Sequence, residues 1–294
     1  MAQTLTAGSV RGAIDAAPPQ LYFVGSAIFH YLGPAFAVLL FARVDVLGVA
    51  WLRIAAAAAV FALWRRPWRV LTALDGEGRR LLIWWGAVLA AMNCCFYVAI
   101  DRLPLGTVAA IEFLPVIALA ALGARTPRNA AALLLAVPGV YLLTDVQLAG
   151  EPLGVALAFV NAALFAVYIV LGHRVASRGA GVDELGASML IALIVVTPMA
   201  GWAAGPALLD PVAVLAGIGV GISSSVIPYV CDQLAMAKLT RAAYALMVSL
   251  LPATATVIGI AVLGQVPSWI EAAGVALVVA GVGLHREPPT QPAT

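Results

Sequence analysis

The chain has 294 residues, 63% of them hydrophobic and 10% charged, with a formal net charge of +2. A soluble domain is about 45–50% apolar and about 25% charged, so this composition excludes a soluble enzyme and a disordered protein, and so small a net charge excludes a nucleic-acid binder. What remains is a helical membrane protein, because a membrane β-barrel alternates apolar and polar residues in short segments, whereas the apolar runs here are long and continuous.

Residues 1–20 are mildly polar and hold no charged region followed by a short apolar one and a cleavage site. They read as a cytoplasmic N-terminal segment rather than a cleaved signal. A helix needs about 20 apolar residues to cross the hydrocarbon core. Ten segments follow in turn that meet or approach this: Leu21–Phe41, Val46–Trp64, Leu81–Ile100, Leu105–Leu122, Asn129–Thr144, Leu153–Leu171, Leu185–Trp202, Val212–Val230, Ala242–Leu263 and Trp269–Leu284. The connections are short and carry turn formers and charges, as in Arg65-Arg66-Pro67 and Asp75-Gly76-Glu77-Gly78. Residues 285–294 form a cytoplasmic tail rich in proline and threonine.

Basic residues in short loops favour the cytoplasmic side. With both termini inside, thirteen basic residues fall in cytoplasmic segments and only Arg43 and Arg102 in outer loops. Tryptophans favour the membrane interfaces. Trp64, Trp68, Trp84 and Trp85 flank the first large basic loop, and Trp51, Trp202 and Trp269 fall near the outer face.

Two stretches repeat. Leu122-Gly123, then Pro127, then Gly139-Val140-Tyr141-Leu142 matches Leu263-Gly264, then Pro267, then Gly281-Val282-Gly283-Leu284. The preceding helices carry Leu114-Pro115 and Leu251-Pro252. Residues 21–144 and 153–284 therefore read as two five-helix repeats. An odd number of spans inverts the second copy, which is a transporter architecture. The expected fold is all-α: a polytopic membrane protein of ten transmembrane helices as two inverted five-helix repeats.

The ten spans, the arginine within Trp51-Leu52-Arg53-Ile54 and the alanine-rich stretches ending in proline, Thr107 to Pro115 and Ala242 to Pro252, resemble the EamA-type members of the drug/metabolite transporter superfamily, and among them the bacterial amino-acid exporters. The resemblance implies export of small metabolites, with neutral or aromatic amino acids foremost, across a bacterial inner membrane. It implies alternating access through a central cavity, with the lipid bilayer and a small-molecule solute as partners, and a monomer or loose homodimer. Other solutes (nucleosides, sugars, organic cations) and a channel or scramblase remain open alternatives.

A charge in hydrocarbon costs about 2.5–3.5 kcal/mol on insertion scales, so intramembrane polar groups mark candidate sites. Arg53 and Glu112 each lie seven residues below the outer end of a span, about 10 Å at 1.5 Å per residue. Equal depth allows an intramembrane charge pair, directly or through one hydrogen-bonding group. A static clamp, a ligand-binding role and proton coupling through Glu112 are the readings. His30, Tyr31, Asn93, Tyr97, Glu112, Asn161, Phe165, Tyr168, Ser223 and Ser249 are the candidate cavity residues. Asn93 and Tyr97 are one helical turn apart, as are Asn161, Phe165 and Tyr168. The serines serve equally as glue between helices, and His30 as a packing residue. Pro115 and Pro252, at matching repeat positions, are candidate hinges, the alternative being permanent bends.

No catalytic, metal or cofactor site is expected. Cys94, Cys95 and Cys231 form no C-x-x-C spacing. No base is specified near Ser223 for a serine hydrolase, and no P-loop sequence is present for ATP-driven transport.

Overall fold

In a computed structural model, residues 19–123, 126–148, 151–176, 181–231 and 251–284 are described. The helices are α1 Pro19–Leu40, α2 Val46–Arg65, α3 Gly76–Arg102, α4 Leu105–Gly123, α5 Pro127–Leu148, α6 Pro152–Ala176, α7 Gly181–Ala204, α8 Pro211–Cys231, α9 Leu251–Leu263 and α10 Trp269–Leu284. They coincide with the expected spans to within a few residues, except that only the second half of the ninth is described. The chain is a polytopic helical membrane protein, and α2, α3, α6, α7 and α8 are long and apolar enough to cross a bilayer. A short helix, Trp68–Ala73, between α2 and α3 has no counterpart in the sequence reading.

Several helices extend past their apolar runs because polar turns satisfy their free N–H groups. Asp45 accepts from Leu47 N at 2.9 Å, Asp75 from Gly78 N at 2.7 Å and Asp210 from Val212 N at 2.9 Å. Ser268 and Glu271 form a reciprocal capping box at the start of α10. Gln265 Oε1 reaches across to accept from Leu105 N at 3.0 Å, joining the α9–α10 turn to the start of α4.

The packing pairs helices in a two-fold manner. α3 packs on α6 as α8 packs on α1, and α3 on α7 as α8 on α2. α4 packs on α6 as α9 on α1, and α4 on α5 as α9 on α10, while α2 with α7, α4 with α9 and α5 with α10 pair across. Small residues let these helices approach closely where no hydrophobic effect drives them together. A methyl group on Gly139 would lie 2.7 Å from Gly274 O, and one on Gly281 would lie 2.7 Å from Ala132 O. The same interval separates Gly139 from Gly281 and Ala132 from Gly274. A second such set joins α2 to α8 and α7 to α3. A methyl on Gly221 would lie 2.7 Å from Arg53 O, and one on Gly86 would lie 2.8 Å from Ser188 O. Again one interval separates Arg53 from Ser188 and Gly86 from Gly221.

Three ion pairs, Arg43–Asp210 at 3.8 Å, Arg102–Glu151 at 3.5 Å and Arg65–Asp183, join helix ends that the alternation of spans places on one side. One tryptophan departs from the expected interfacial belt. Trp269 is 93% exposed, but Trp85 is only 6% exposed, stacked on Tyr168 at 5.4 Å and donating to Tyr168 O. Gly172 one turn further along α6 leaves the space for its ring.

Candidate functional site

Both intramembrane charges are buried, Arg53 at 7% and Glu112 at 6% exposure. The structure gives each a neutral partner. Arg53 Nε donates to Ser225 Oγ at 3.0 Å and Nη2 to Ser224 O at 3.1 Å, with Cζ 5.4 Å from the Tyr97 ring centroid. Glu112 Oε1 accepts from Asn161 Nδ2 at 3.0 Å. The direct Arg53–Glu112 ion pair is absent among the described residues. The two groups instead face one cavity from different helices, each held by a hydrogen bond that costs no second charge.

The local sequence explains why Arg53 turns to α8. Pro228 has no N–H to return to the Ser224 carbonyl four residues before it. The helix widens into a π-turn over Ile222–Val226, and the freed carbonyl points to Arg53. Gly221 brings the α2 backbone near, and Gly33 does the same for α1, since a methyl there would lie 2.1 Å from Ser224 Oγ.

His30, Asn93, Glu112, Asn161, Phe165 and Tyr168 from the expected set all line this cavity, together with Arg53. Pro34, Met92, Phe96 and Tyr229 complete it and were missed. Met92 and Phe96 flank Asn93 at helical spacing, and Tyr229 lies one turn beyond Ser225, so a face count along α3 and α8 carried their signal. The remaining expectations fall differently. Tyr31 and Tyr97 are wholly buried behind the wall, Tyr97 as the platform beneath Arg53. Ser223 donates back to Gly219 O at 2.7 Å and Val220 O at 3.2 Å, so its hydroxyl serves its own helix and not the cavity. Ser249 lies outside the described residues. Pro115 sits inside an α4 that continues on both sides of it, and Pro252 is the second residue of the described part of α9; neither borders the cavity.

The two walls differ chemically. The Arg53 guanidinium offers five N–H donors, of which two are used in the bonds above. Another part of the lining offers acceptors, Glu112 and the Asn161 Oδ1, which is buried without a partner. Asn93, which also lines the cavity, turns its Nδ2 back to Leu89 O at 2.8 Å and keeps its Oδ1 as a further acceptor. From the acceptor wall an aromatic series runs along α6, Phe113 to Phe165 at 6.2 Å, Phe165 to Tyr168 at 6.4 Å and Tyr168 to Trp85 at 5.4 Å. The cavity volume is about 40 Å³. One water needs about 10–15 Å³, so a few waters fit and a metabolite requires the helices to part.

The model of the EamA-like transporter family matches residues 152–285. The threonine/homoserine exporter RhtA of Salmonella typhimurium (strain SL1344) is 32% identical over 267 residues, covering 87% of this chain and 88% of that protein. The threonine/homoserine exporter RhtA of Escherichia coli (strain K12) is 32% identical over 255 residues, covering 84% of each. A solved crystal structure 19% identical in sequence has the same fold, with a TM-score of 0.57 over 90% of this chain and 96% of its own. On its match to the family model and on its relatives, the chain belongs to the EamA-like transporter family.

Proposed function

We propose that the chain exports neutral α-amino acids across a bacterial inner membrane by alternating access, with Arg53 taking the carboxylate and Glu112 with Asn161 taking the ammonium. The observation that carries this reading is the pairing of a buried donor wall with a buried acceptor wall around one cavity. An α-amino acid is the small solute that presents an anion and a cation on adjacent carbons. An ammonium group has three donors and no acceptor, which suits a carboxylate beside the unpartnered Asn161 Oδ1. Met92, Phe96, Phe165 and Tyr229 supply an apolar wall for an uncharged side chain. The names of the relatives make threonine and homoserine the first solutes to test.

Residues 21–144 and 153–284 act as two inverted halves, supported by the repeated sequence and by the paired packing of α5 with α10 and α2 with α7. Both termini are cytoplasmic on the distribution of basic loops. Pro115 and Pro252 bend α4 and α9 as the halves rock, and the unit of transport is a monomer or loose homodimer. Transport into proteoliposomes with a panel of amino acids, nucleosides, sugars and organic cations tests the reading. Saturable movement of threonine, homoserine or other neutral amino acids is the expected result. Movement of nucleosides, sugars or cations alone would overturn it, and aromatic amino acids carried in preference to threonine would restrict the class.

A further inference from the structure

We propose that the Ser224 carbonyl and the substrate carboxylate compete for Arg53, so that binding releases α8 from α2 and couples occupancy to helix movement. Ser224, Ser225 and Pro228 are then positioning residues for the arginine. This rests on the amino-acid reading of the cavity and adds to it the step that binding sets in motion.

The device is built from four features. Pro228 withholds its N–H from the Ser224 carbonyl, and Arg53 Nη2 takes that carbonyl at 3.1 Å. The π-turn over Ile222–Val226 is an already widened stretch of helix next to the cavity, and π-turns favour functional sites. Arg53 and Tyr229, which follows Pro228, both line the cavity, so a ligand there meets the arginine and the far side of the turn together. A carboxylate is a stronger acceptor for a guanidinium than a neutral carbonyl and can engage it through two parallel bonds; taking the Nε–Nη2 edge that Ser225 and Ser224 now hold, it displaces both, so the exchange runs toward the substrate. The exchange leaves the Ser224 carbonyl buried without its donor, a penalty that favours a shifted α8. A ligand moves a conformational equilibrium only through such a differential interaction.

The other half lacks the device at the equivalent place. The interval that relates Gly86 to Gly221 also relates Leu89 to Ser224 and Asn93 to Pro228. There, Asn93 has a backbone N–H, and its own side chain also donates to Leu89 O at 2.8 Å. The carbonyl is served within α3, and Ser188 stands where Arg53 does. A switch is therefore present on the α2–α8 side alone.

The test uses the full chain in lipid nanodiscs, with L-threonine as probe, following amide hydrogen exchange in the peptide spanning 222–230 and thermal stabilisation in parallel. In the unliganded protein, Pro228→Ala should slow exchange there and Arg53→Gln should speed it, each by about tenfold for one hydrogen bond. Threonine should speed exchange in the wild type and leave Pro228→Ala unchanged. In transport, Pro228→Ala should lower KM and kcat together by about tenfold, since the carbonyl no longer competes and α8 no longer responds. Ser225→Ala, which loosens the same grip without touching the backbone, should lower KM in the same direction. Threonine that stabilises the protein but leaves segment 222–230 unchanged overturns the switch while the amino-acid reading stands. Unaltered exchange in unliganded Pro228→Ala overturns it regardless of ligand. A wild type that threonine does not stabilise sinks the amino-acid reading, and with it the ligand half of the switch.

Discussion

The α5–α10 crossing and the α2–α8 crossing are built on one principle and put to different uses. At the first, Gly139 meets Gly274 and Gly281 meets Ala132 with matched geometry on both sides of the approximate two-fold. At the second, the glycines still match, Gly221 against Arg53 O and Gly86 against Ser188 O, but the side chains do not. One half carries a buried arginine and a proline-freed carbonyl, and the other carries a serine whose hydroxyl donates to Leu185 O in its own helix. Backbone approach is what the halves share, and chemistry is where they part. In the proposed mechanism, symmetry supplies two exchangeable scaffolds, and its local failure makes the site that tells the ends of a small solute apart.

The sharpest way to break this comparison is to substitute both members of the unequal pair. Arg53→Gln and Glu112→Gln should each lower transport by about thirtyfold or more, because truncating one member of a buried charge interaction costs about 2–5 kcal/mol. Ser188→Ala, at the equivalent of Arg53, should stay within about twofold of wild type, since a change away from site chemistry costs little. Equal losses at Arg53 and Ser188 in correctly inserted protein would remove the asymmetry. At the matched crossing the expectation is the opposite. Gly139→Val and Gly281→Val should destabilise the fold by similar amounts, about 1–3 kcal/mol each, read as lowered melting temperatures. A large effect at one and none at the other would show that the crossing is not two-fold.

Smaller effects sharpen the picture of the acceptor wall. Asn161→Ala removes the donor to Glu112 and the unpartnered Oδ1 together. It should raise KM about tenfold, in line with about 1.5–3 kcal/mol for a hydrogen bond to a charged group. Ser223→Ala should leave transport kinetics within about twofold of wild type, because the hydroxyl bonds only within its own helix. A substantial rise in KM there would return Ser223 to the cavity.

Much of the fold was legible in the sequence, since hydropathy fixes spans wherever backbone groups must be satisfied within a helix. The Leu-Gly and Gly-Val motifs also marked the halves, because close helix approach needs small residues at fixed places. The depth of Arg53 and Glu112 was readable from residue counts, and both reach the cavity. Their partners were not. Depth along a helix says nothing of the direction of a side chain around it, and that direction depends on which helices are neighbours. The Ser224 carbonyl was beyond a side-chain inventory altogether, because it is a backbone group exposed by a proline four residues away. Trp85 misled for a related reason. Its place near a span end suits an interfacial ring, but Gly172 opposite it opens a buried slot.

The central claim is that one cavity reads both ends of an amino acid. Thermal stabilisation of the purified full-length protein by L-threonine, its methyl ester and its deaminated hydroxy acid measures this most directly. A ligand at about a hundred times its dissociation constant stabilises by about 2.7 kcal/mol. The account predicts that threonine raises the melting temperature, while the ester, lacking the carboxylate, and the hydroxy acid, lacking the ammonium, do so only at concentrations at least about tenfold higher, the loss of one charged hydrogen bond. Stabilisation by the ester or the hydroxy acid at the same concentrations as threonine would contradict it.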